Sequence, residues 1–330
     1  MNAAYFLSRV GKMIALLFIV ITINFFIARF MPGDVIRHLL GEEEYLRLRI
    51  EAPEVIEETR VRYGLDQPLP VQYQRYLAAT FSLQFGNSYT SKEPVVDKVL
   101  YHMKWTLLLA VPAAVICGII GGVAGLLAGW NSRGLLNRML TPFFVFLSAV
   151  PSNCVAMIFL LVFAFRLGWF PLSGMTSGGL FGVAKAMDIL WHMALPLAIM
   201  ILYRSGGNFI NMKSYAASIR SEDYITTAVS KGLPGRRVLT RHGLRNIVLP
   251  YISLMCMQFG SILAGTMMVE VVFTWRGMGQ LTYAAAMAKD YPTLQFAMLL
   301  SSACVLFFNL LSDILCFAVD PRLRSGSAHE

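Results

Sequence analysis

Long apolar runs dominate this sequence and restrict what it can fold into. The chain is 56% hydrophobic and 14% charged, whereas a soluble domain has about 25% charged residues. A run of about 20 apolar residues is long enough to cross the hydrocarbon core of a bilayer as a helix. We therefore predict an all-α, polytopic membrane protein with six transmembrane helices, at 12–30, 105–129, 139–166, 189–212, 248–272 and 294–319.

Lysine and arginine predict how these helices are oriented. The formal net charge is +9, but in so apolar a chain we attribute it to the excess of basic residues in cytoplasmic segments rather than to nucleic-acid binding. With the N-terminus inside, the inner segments carry thirteen Lys and Arg and the two short outer loops carry three. Both termini are therefore predicted to be cytoplasmic.

The segment between the first two spans differs from the rest, because it is polar and nearly neutral. Residues 31–104 are predicted to form a small extracytoplasmic helical insertion, with helices at about 34–49, 53–63 and 70–82 and Pro53 in a first helical turn. The preceding run, 12–30, could be a signal peptide, but it is long and lacks a small-residue cleavage site, so we expect a retained span. The predicted units are an N-terminal segment with the first helix at 1–30, the insertion at 31–104, a five-helix transmembrane core at 105–320 with a cytoplasmic loop at 213–248, and a tail at 321–330.

Residue patterns that carry chemistry are missing from the sequence. It has no GxxxxGK[ST] or HExxH motif, and its five Cys and five His lack metal-ligand spacing, so we predict no catalytic, cofactor or metal site. Gly118, Gly121, Gly122 and Gly125 suit close helix packing. We expect neither broken spans nor an internal repeat, and the energy for any transport would come from a partner. The few ionisable residues inside spans lie near predicted span ends, which favours an interfacial location: Arg204, Glu270 and Asp313.

One polar, basic stretch, 222–250, interrupts the apolar pattern. It starts like a helix, because Ser221 can cap and acidic residues follow at 222 and 223. It breaks at Gly232 and again at Leu233-Pro234-Gly235, then continues as a basic helix towards Pro250. A helix–break–helix between two spans is suited to being gripped by another protein.

The stretch resembles the cytoplasmic loop of permease subunits of binding-protein-dependent ABC transporters. Further motifs resemble the dipeptide, oligopeptide and nickel branch, and nearly the whole chain is covered. The matching motifs in the loop include Asp223-Tyr224-Ile225, Lys231-Gly232-Leu233, Arg236-Arg237-Val238-Leu239 and Leu249-Pro250. The motifs that match the branch elsewhere include Met31-Pro32-Gly33-Asp34, Gly64-Leu65-Asp66-Gln67-Pro68-Leu69, Phe85-Gly86-Asn87-Ser88-Tyr89, Glu270-Val271-Val272-Phe273, Asp290-Tyr291-Pro292 and Asp320-Pro321-Arg322.

The resemblance implies a coupling helix at Glu222–Gly232 that seats in a groove on an ATPase subunit. The residues that we expect to couple are Glu222, Asp223, Tyr224, Thr227, Ala228, Gly232, Arg236 and Arg237. The implied partners are a second permease subunit in a heterodimer and two ATP-binding subunits that bind ATP and Mg²⁺. An extracytoplasmic solute-binding protein is expected to dock on 34–104 and 273–293. The surrounding lipid would be that of a bacterial or archaeal inner membrane.

Polar residues on apolar spans are candidates for the pore, although such residues more often form hydrogen bonds in helix packing. They are Ser148, Asn153, Gln258 and Ser261. Within the branch, di- or oligopeptides are the expected solute, and nickel or a metal chelate is the alternative; we interpret the 18 Met as ordinary apolar filler. The alternative classes are an ion-gradient-driven secondary transporter and an intramembrane enzyme or receptor-like protein.

Overall fold

The computed structural model describes residues 3–30, 35–62, 66–261 and 266–319. Helices make up most of these ranges, and the only β pairing within them is an isolated antiparallel bridge between Asn87 and Pro94. The all-α prediction is therefore confirmed.

The described helices run through the chain with mostly short connections, and the longer loops are those before α6 and α9. Two π-helical segments interrupt the series: Leu160–Arg166 continues α8, and Leu239–Gly243 joins α11 to α12. In chain order the helices are α1 Ala3–Phe30, α2 Val35–Leu40, α3 Glu42–Glu51, α4 Pro53–Arg62, α5 Leu69–Phe81, α6 Val95–Trp130, α7 Leu135–Ala149, α8 Ser152–Phe159, α9 Gly182–Arg220, α10 Asp223–Ser230, α11 Gly235–Val238, α12 Leu244–Gly260, α13 Met267–Val272, α14 Met278–Met287 and α15 Tyr291–Val319.

Within the described ranges, four helices are individually long and apolar enough to cross a membrane, and they lie in α1, α6, α9 and α15. A bent pair, α7 with α8, raises the number to five if it is counted as one span. The predicted span 248–272 corresponds to α12 and α13, and residues 262–265 between them lie outside the described residues. The structure thus supports four or five spans, where the sequence predicted six.

The predicted third span, 139–166, is not one straight helix. Its two halves, Leu135–Ala149 and Ser152–Arg166, are bent by 97°. The bend lies at Val150 and Pro151, whose ψ angles of 129° and 136° are extended rather than helical. Proline disfavours the helical conformation of the residue before it, which explains the break. The expectation that no span is broken is therefore wrong here.

Four short helices follow α1. The predicted helix 34–49 is divided at Gly41, whose positive φ of 88° does not fit a right-handed helix, and α4 begins at Pro53 as predicted. The last of the four, α5, is tied to α1: the hydroxyls of Thr22 and Tyr73 are hydrogen-bonded at 2.7 Å, and Asn24 Nδ2 donates to the hydroxyl of Tyr76 at 3.3 Å.

Glycines let α6 and α9 approach closely. A Cβ atom on Gly121, Gly125 or Gly129 would lie 2.6 Å, 2.5 Å or 2.4 Å from a backbone carbonyl oxygen of α9. These residues recur every four positions and so share one face of α6. The predicted packing role of the glycines in this span is confirmed, and it makes α6 and α9 the central helix pair of the fold.

Candidate functional site

The short helix α10 has one face buried in the protein and the other exposed. Ile225 and Ala228 are only 2% and 6% exposed and pack with Val238. Trp130, Ile219 and Leu233 surround this cluster, so the ends of α6 and α9 both contact it. This anchoring means that a force applied to α10 reaches the two central helices directly.

Most of the predicted coupling residues lie on the exposed surface of this loop. Ala228 is the exception, since it faces the chain's own core rather than the surface available to a partner. Arg236 and Arg237 are exposed in α11, directly after the break, and add positive charge to the loop. The exposed members are Glu222, Asp223, Tyr224, Thr227, Gly232, Arg236 and Arg237.

A glycine-based C-terminal cap fixes the end of α10. Gly232 has a positive φ of 77° and donates its N–H to the carbonyl oxygen of Val229 at 2.9 Å. The N–H of Leu233 donates to the carbonyl oxygen of Ala228 at 3.4 Å. Together these two bonds form a Schellman motif, which ends the helix with defined geometry.

Two residues that the sequence did not single out hold this loop in place. Asn246 Nδ2 donates to the Tyr224 hydroxyl at 2.8 Å and links α10 to α12. Trp130, at the end of α6, stacks under the Arg220 guanidinium at 5.7 Å, and a Cβ atom on Gly243 would lie 2.8 Å from its ring. No local pattern marks either residue, because their partners are distant in the sequence.

The predicted pore residues fall into two groups. Ser148 and Asn153 lie on opposite sides of the bend between α7 and α8. Gln258 lies in α12, where its Nε2 donates to Asn208 Oδ1 on α9 at 2.7 Å, and Ser261 Oγ donates to the Gln258 carbonyl oxygen at 3.0 Å. Gln258 therefore joins two helices as well as remaining a candidate for the pore.

A buried carboxylate organises the predicted outer side. Glu270 is fully buried, and its Oε1 accepts hydrogen bonds from the hydroxyls of Thr106 at 2.7 Å and Thr266 at 2.8 Å. Its Oε2 accepts from the backbone N–H of Gly279 at 2.7 Å and of Gln280 at 3.1 Å. The four donors satisfy the carboxylate inside the protein, where the sequence had suggested an interfacial position, and they hold α14 against α6 and α13.

A second acidic residue fixes the segment before α6. The Asp290 carboxylate accepts hydrogen bonds from Ser88 Oγ at 2.5 Å, the Tyr89 N–H at 3.0 Å and the Thr293 hydroxyl at 2.9 Å. Lys98 Nζ lies 3.8 Å from the same carboxylate. Burial alone would raise the pKa of the Asp290 carboxyl, but the hydrogen bonds outweigh it and hold that pKa below its ordinary value.

An open cleft of about 790 Å³ lies between the start of α6 and α14. Its wall carries both signs of charge, from Glu93, Asp97, Lys98 and Arg276, together with His102 and Gln280. The cleft joins the two elements predicted to dock a binding protein, 34–104 and 273–293. Across the described residues, no group of three or more His, Cys, Asp or Glu is placed to hold a metal ion.

Comparison with known proteins identifies the class. The family described as "Binding-protein-dependent transport system inner membrane component" matches residues 121–325, and "Binding-prot-dependent transport system membrane comp, N-term" matches residues 3–110. The chain is 32% identical over 321 residues to the glutathione transport system permease protein GsiC of Shigella boydii serotype 4 (strain Sb227), with 97% of this chain and 98% of the relative covered. Identity and coverage are the same for the proteins of that name from Escherichia coli (strain K12) and Shigella flexneri serotype 5b (strain 8401).

These matches agree with the apolar helices and with the lack of catalytic motifs. A permease of this kind works with an ATPase and a solute-binding protein. The chain belongs to the binding-protein-dependent ABC transporter permeases, in the peptide and nickel branch, and is a multi-pass inner-membrane subunit of an importer rather than an enzyme.

Proposed function

We propose that this chain forms half of the translocation pore of a peptide importer and couples ATP hydrolysis in partner subunits to solute uptake. The observation that carries the proposal is the two-faced helix α10. Ile225 and Ala228 anchor it to the ends of α6 and α9, while Asp223, Tyr224 and Thr227 remain exposed. A rigid, capped helix with a free polar face can seat in a groove on another protein and transmit its movement.

The rest of the machine follows from this assignment. A second, different permease completes the pore, and two ATP-binding subunits bind ATP and Mg²⁺ and grip the coupling helix of each permease. Both termini lie in the cytoplasm. A solute-binding protein docks on the outer elements 34–104 and 273–293, and the mixed charge of the cleft between them supports recognition of a polar protein surface.

We infer that the solute is a di- or oligopeptide. The support is the relatives' name, since glutathione is itself a small peptide. The direct test is ATP-driven uptake of labelled peptides into liposomes that contain the assembled transporter and its binding protein. Uptake driven by an ion gradient without ATP would instead favour a secondary transporter.

Gly232 provides the test of coupling. We expect Gly232→Asn to keep the cap, because asparagine tolerates a positive φ and a Cβ atom there would meet nothing within 4 Å in this chain. The added side chain would still obstruct an ATPase that approaches closely. Peptide-stimulated ATP hydrolysis should therefore fall several-fold while membrane insertion persists.

Gly178→Asn is the matched control, since Gly178 is also exposed, has a φ of 80° and has open space at its Cβ position. It lies in the predicted outer loop, away from the ATPase. Equal ATPase activity in wild type and in the Gly232→Asn transporter would argue against the coupling role of this loop.

A further inference from the structure

Arg204 differs from the other two ionisable residues that the sequence places in spans. Glu270 has four hydrogen-bond donors, and Asp313 forms an ion pair with Arg9 at 3.0 Å. Among the residues that the structure describes, none forms an ion pair or a hydrogen bond with the Arg204 guanidinium. Its counter-charge must therefore come from outside this part of the chain.

The position of Arg204 in α9 is central. It lies 22 residues after Gly182 and 16 residues before Arg220, where the helix begins and ends. At about 1.5 Å per residue, both ends of the helix are more than 20 Å away. The long helix thus keeps this guanidinium away from the polar loops at either end, although the shorter predicted span had placed it near a span end.

The face of α9 that carries Arg204 is polar and only partly covered by the described helices. Gly207 and Asn211 follow at spacings of three and seven residues and so share that face, and all three residues are half-buried. A Cβ atom on Gly207 would meet no atom within 4 Å, whereas on the neighbouring Gly206 it would lie 2.7 Å from the Phe144 carbonyl oxygen. Asn208, one turn after Arg204, is fully buried and accepts a hydrogen bond from Gln258 on α12.

A cation on such a face is costly if it meets lipid, so it belongs against water, a partner or an anion. Guanidinium binds carboxylate well, because two parallel N–H groups match the two oxygens. We propose that Arg204 binds a carboxylate of the peptide as it passes through the pore. This inference rests on the proposed function as a peptide importer and makes transport selective for peptides with a free carboxylate.

The test compares trialanine with trialanine amide, which lacks the carboxylate, as probes of ATP-driven uptake into liposomes holding the whole transporter. Arg204→Gln should lower the maximal uptake rate of trialanine about tenfold, the loss expected for a charge-assisted hydrogen bond, and leave that of the amide nearly unchanged. Arg204→Lys should retain most trialanine uptake. Lys185→Gln, which removes an exposed cation from the same helix, should affect neither probe.

The outcomes separate this inference from the proposed function. Equal loss of both probes in an Arg204→Gln transporter that assembles would overturn the carboxylate role alone. If Arg204→Gln does not assemble, the wild-type transporter decides, because equal maximal uptake rates of trialanine and trialanine amide would overturn the role. ATP-driven uptake of neither probe by the wild type would overturn the peptide assignment and this inference with it.

Discussion

Asn246 donates a hydrogen bond from Nδ2 to the Tyr224 hydroxyl at 2.8 Å, and this bond ties α10 to α12. The apolar cluster beneath α10 already joins it to α6 and α9. The loop is therefore connected to three long helices, so movement of α10 cannot occur without displacing them.

Removing the Tyr224 hydroxyl should weaken the link to α12. Tyr224→Phe is expected to cost at most about 1 kcal/mol, because the pair is partly exposed. Peptide-stimulated ATP hydrolysis by the assembled transporter should fall two- to five-fold, with basal hydrolysis and assembly retained. Tyr283→Phe, at an exposed tyrosine on the predicted outer side, is the control. Equal coupling in all three proteins would mean that this bond plays no part.

Replacing Glu270 should loosen the predicted outer side. In Glu270→Gln, one carboxylate oxygen becomes an NH₂ group that faces donors, which leaves buried groups unsatisfied and costs about 1–3 kcal/mol. Thermal unfolding of the purified transporter, followed by tryptophan fluorescence, should occur several degrees lower. The same change at the exposed Glu54, Glu54→Gln, should leave the midpoint where it is in wild type. An unshifted midpoint in Glu270→Gln would show that the carboxylate network adds no stability.

Acid should release the segment that Asp290 holds. Because the folded pKa of this carboxyl lies below its ordinary value, its contribution is complete above that ordinary value and is lost as the pH falls through the lowered pKa. The amides of residues 86–94 should therefore lose protection against hydrogen exchange below about pH 4 in wild type, when each rate is compared with the intrinsic exchange rate at that pH. Asp290→Asn should lack this protection at every pH. Asp97→Asn, at an exposed residue of α6, should behave as wild type does. Protection that persists undiminished through pH 3 would rule out this dependence.

A single methyl group should disturb the α6–α9 pair. A Cβ atom on Gly125 would lie 2.5 Å from the Phe209 carbonyl oxygen, so Gly125→Ala forces the helices apart at a cost of about 1–3 kcal/mol. Yield and thermal midpoint in detergent should both decrease. Gly11→Ala is the matched control, because a Cβ atom there meets nothing within 4 Å and helix propensity improves. Similar midpoints for the two variants would contradict the packing role.

Much of the local structure was predictable because it depends on neighbours in the sequence. Apolar runs gave the long helices α1, α6, α9 and α15, and Pro53 marked the start of α4. The bend at Pro151 also has a local cause, because this proline restricts the backbone of Val150. Proline is often tolerated inside helices, however, as Pro112 is in α6. The sequence therefore could not show that Pro151 would bend its span.

The sequence by itself determined the class of the protein: apolar length predicts membrane spans, and the motifs along the chain predict the permease family that the comparisons show. That a separate motor binds at 222–250 stays a prediction. Only the tertiary structure decided which side chains act together. Ala228 is buried, and Tyr224 is hydrogen-bonded to Asn246. Glu270 accepts hydrogen bonds from four donors, whereas Arg204 forms no ion pair with any described residue. These outcomes depend on contacts between residues far apart in the chain, and such contacts are set by how whole helices pack rather than by any local pattern.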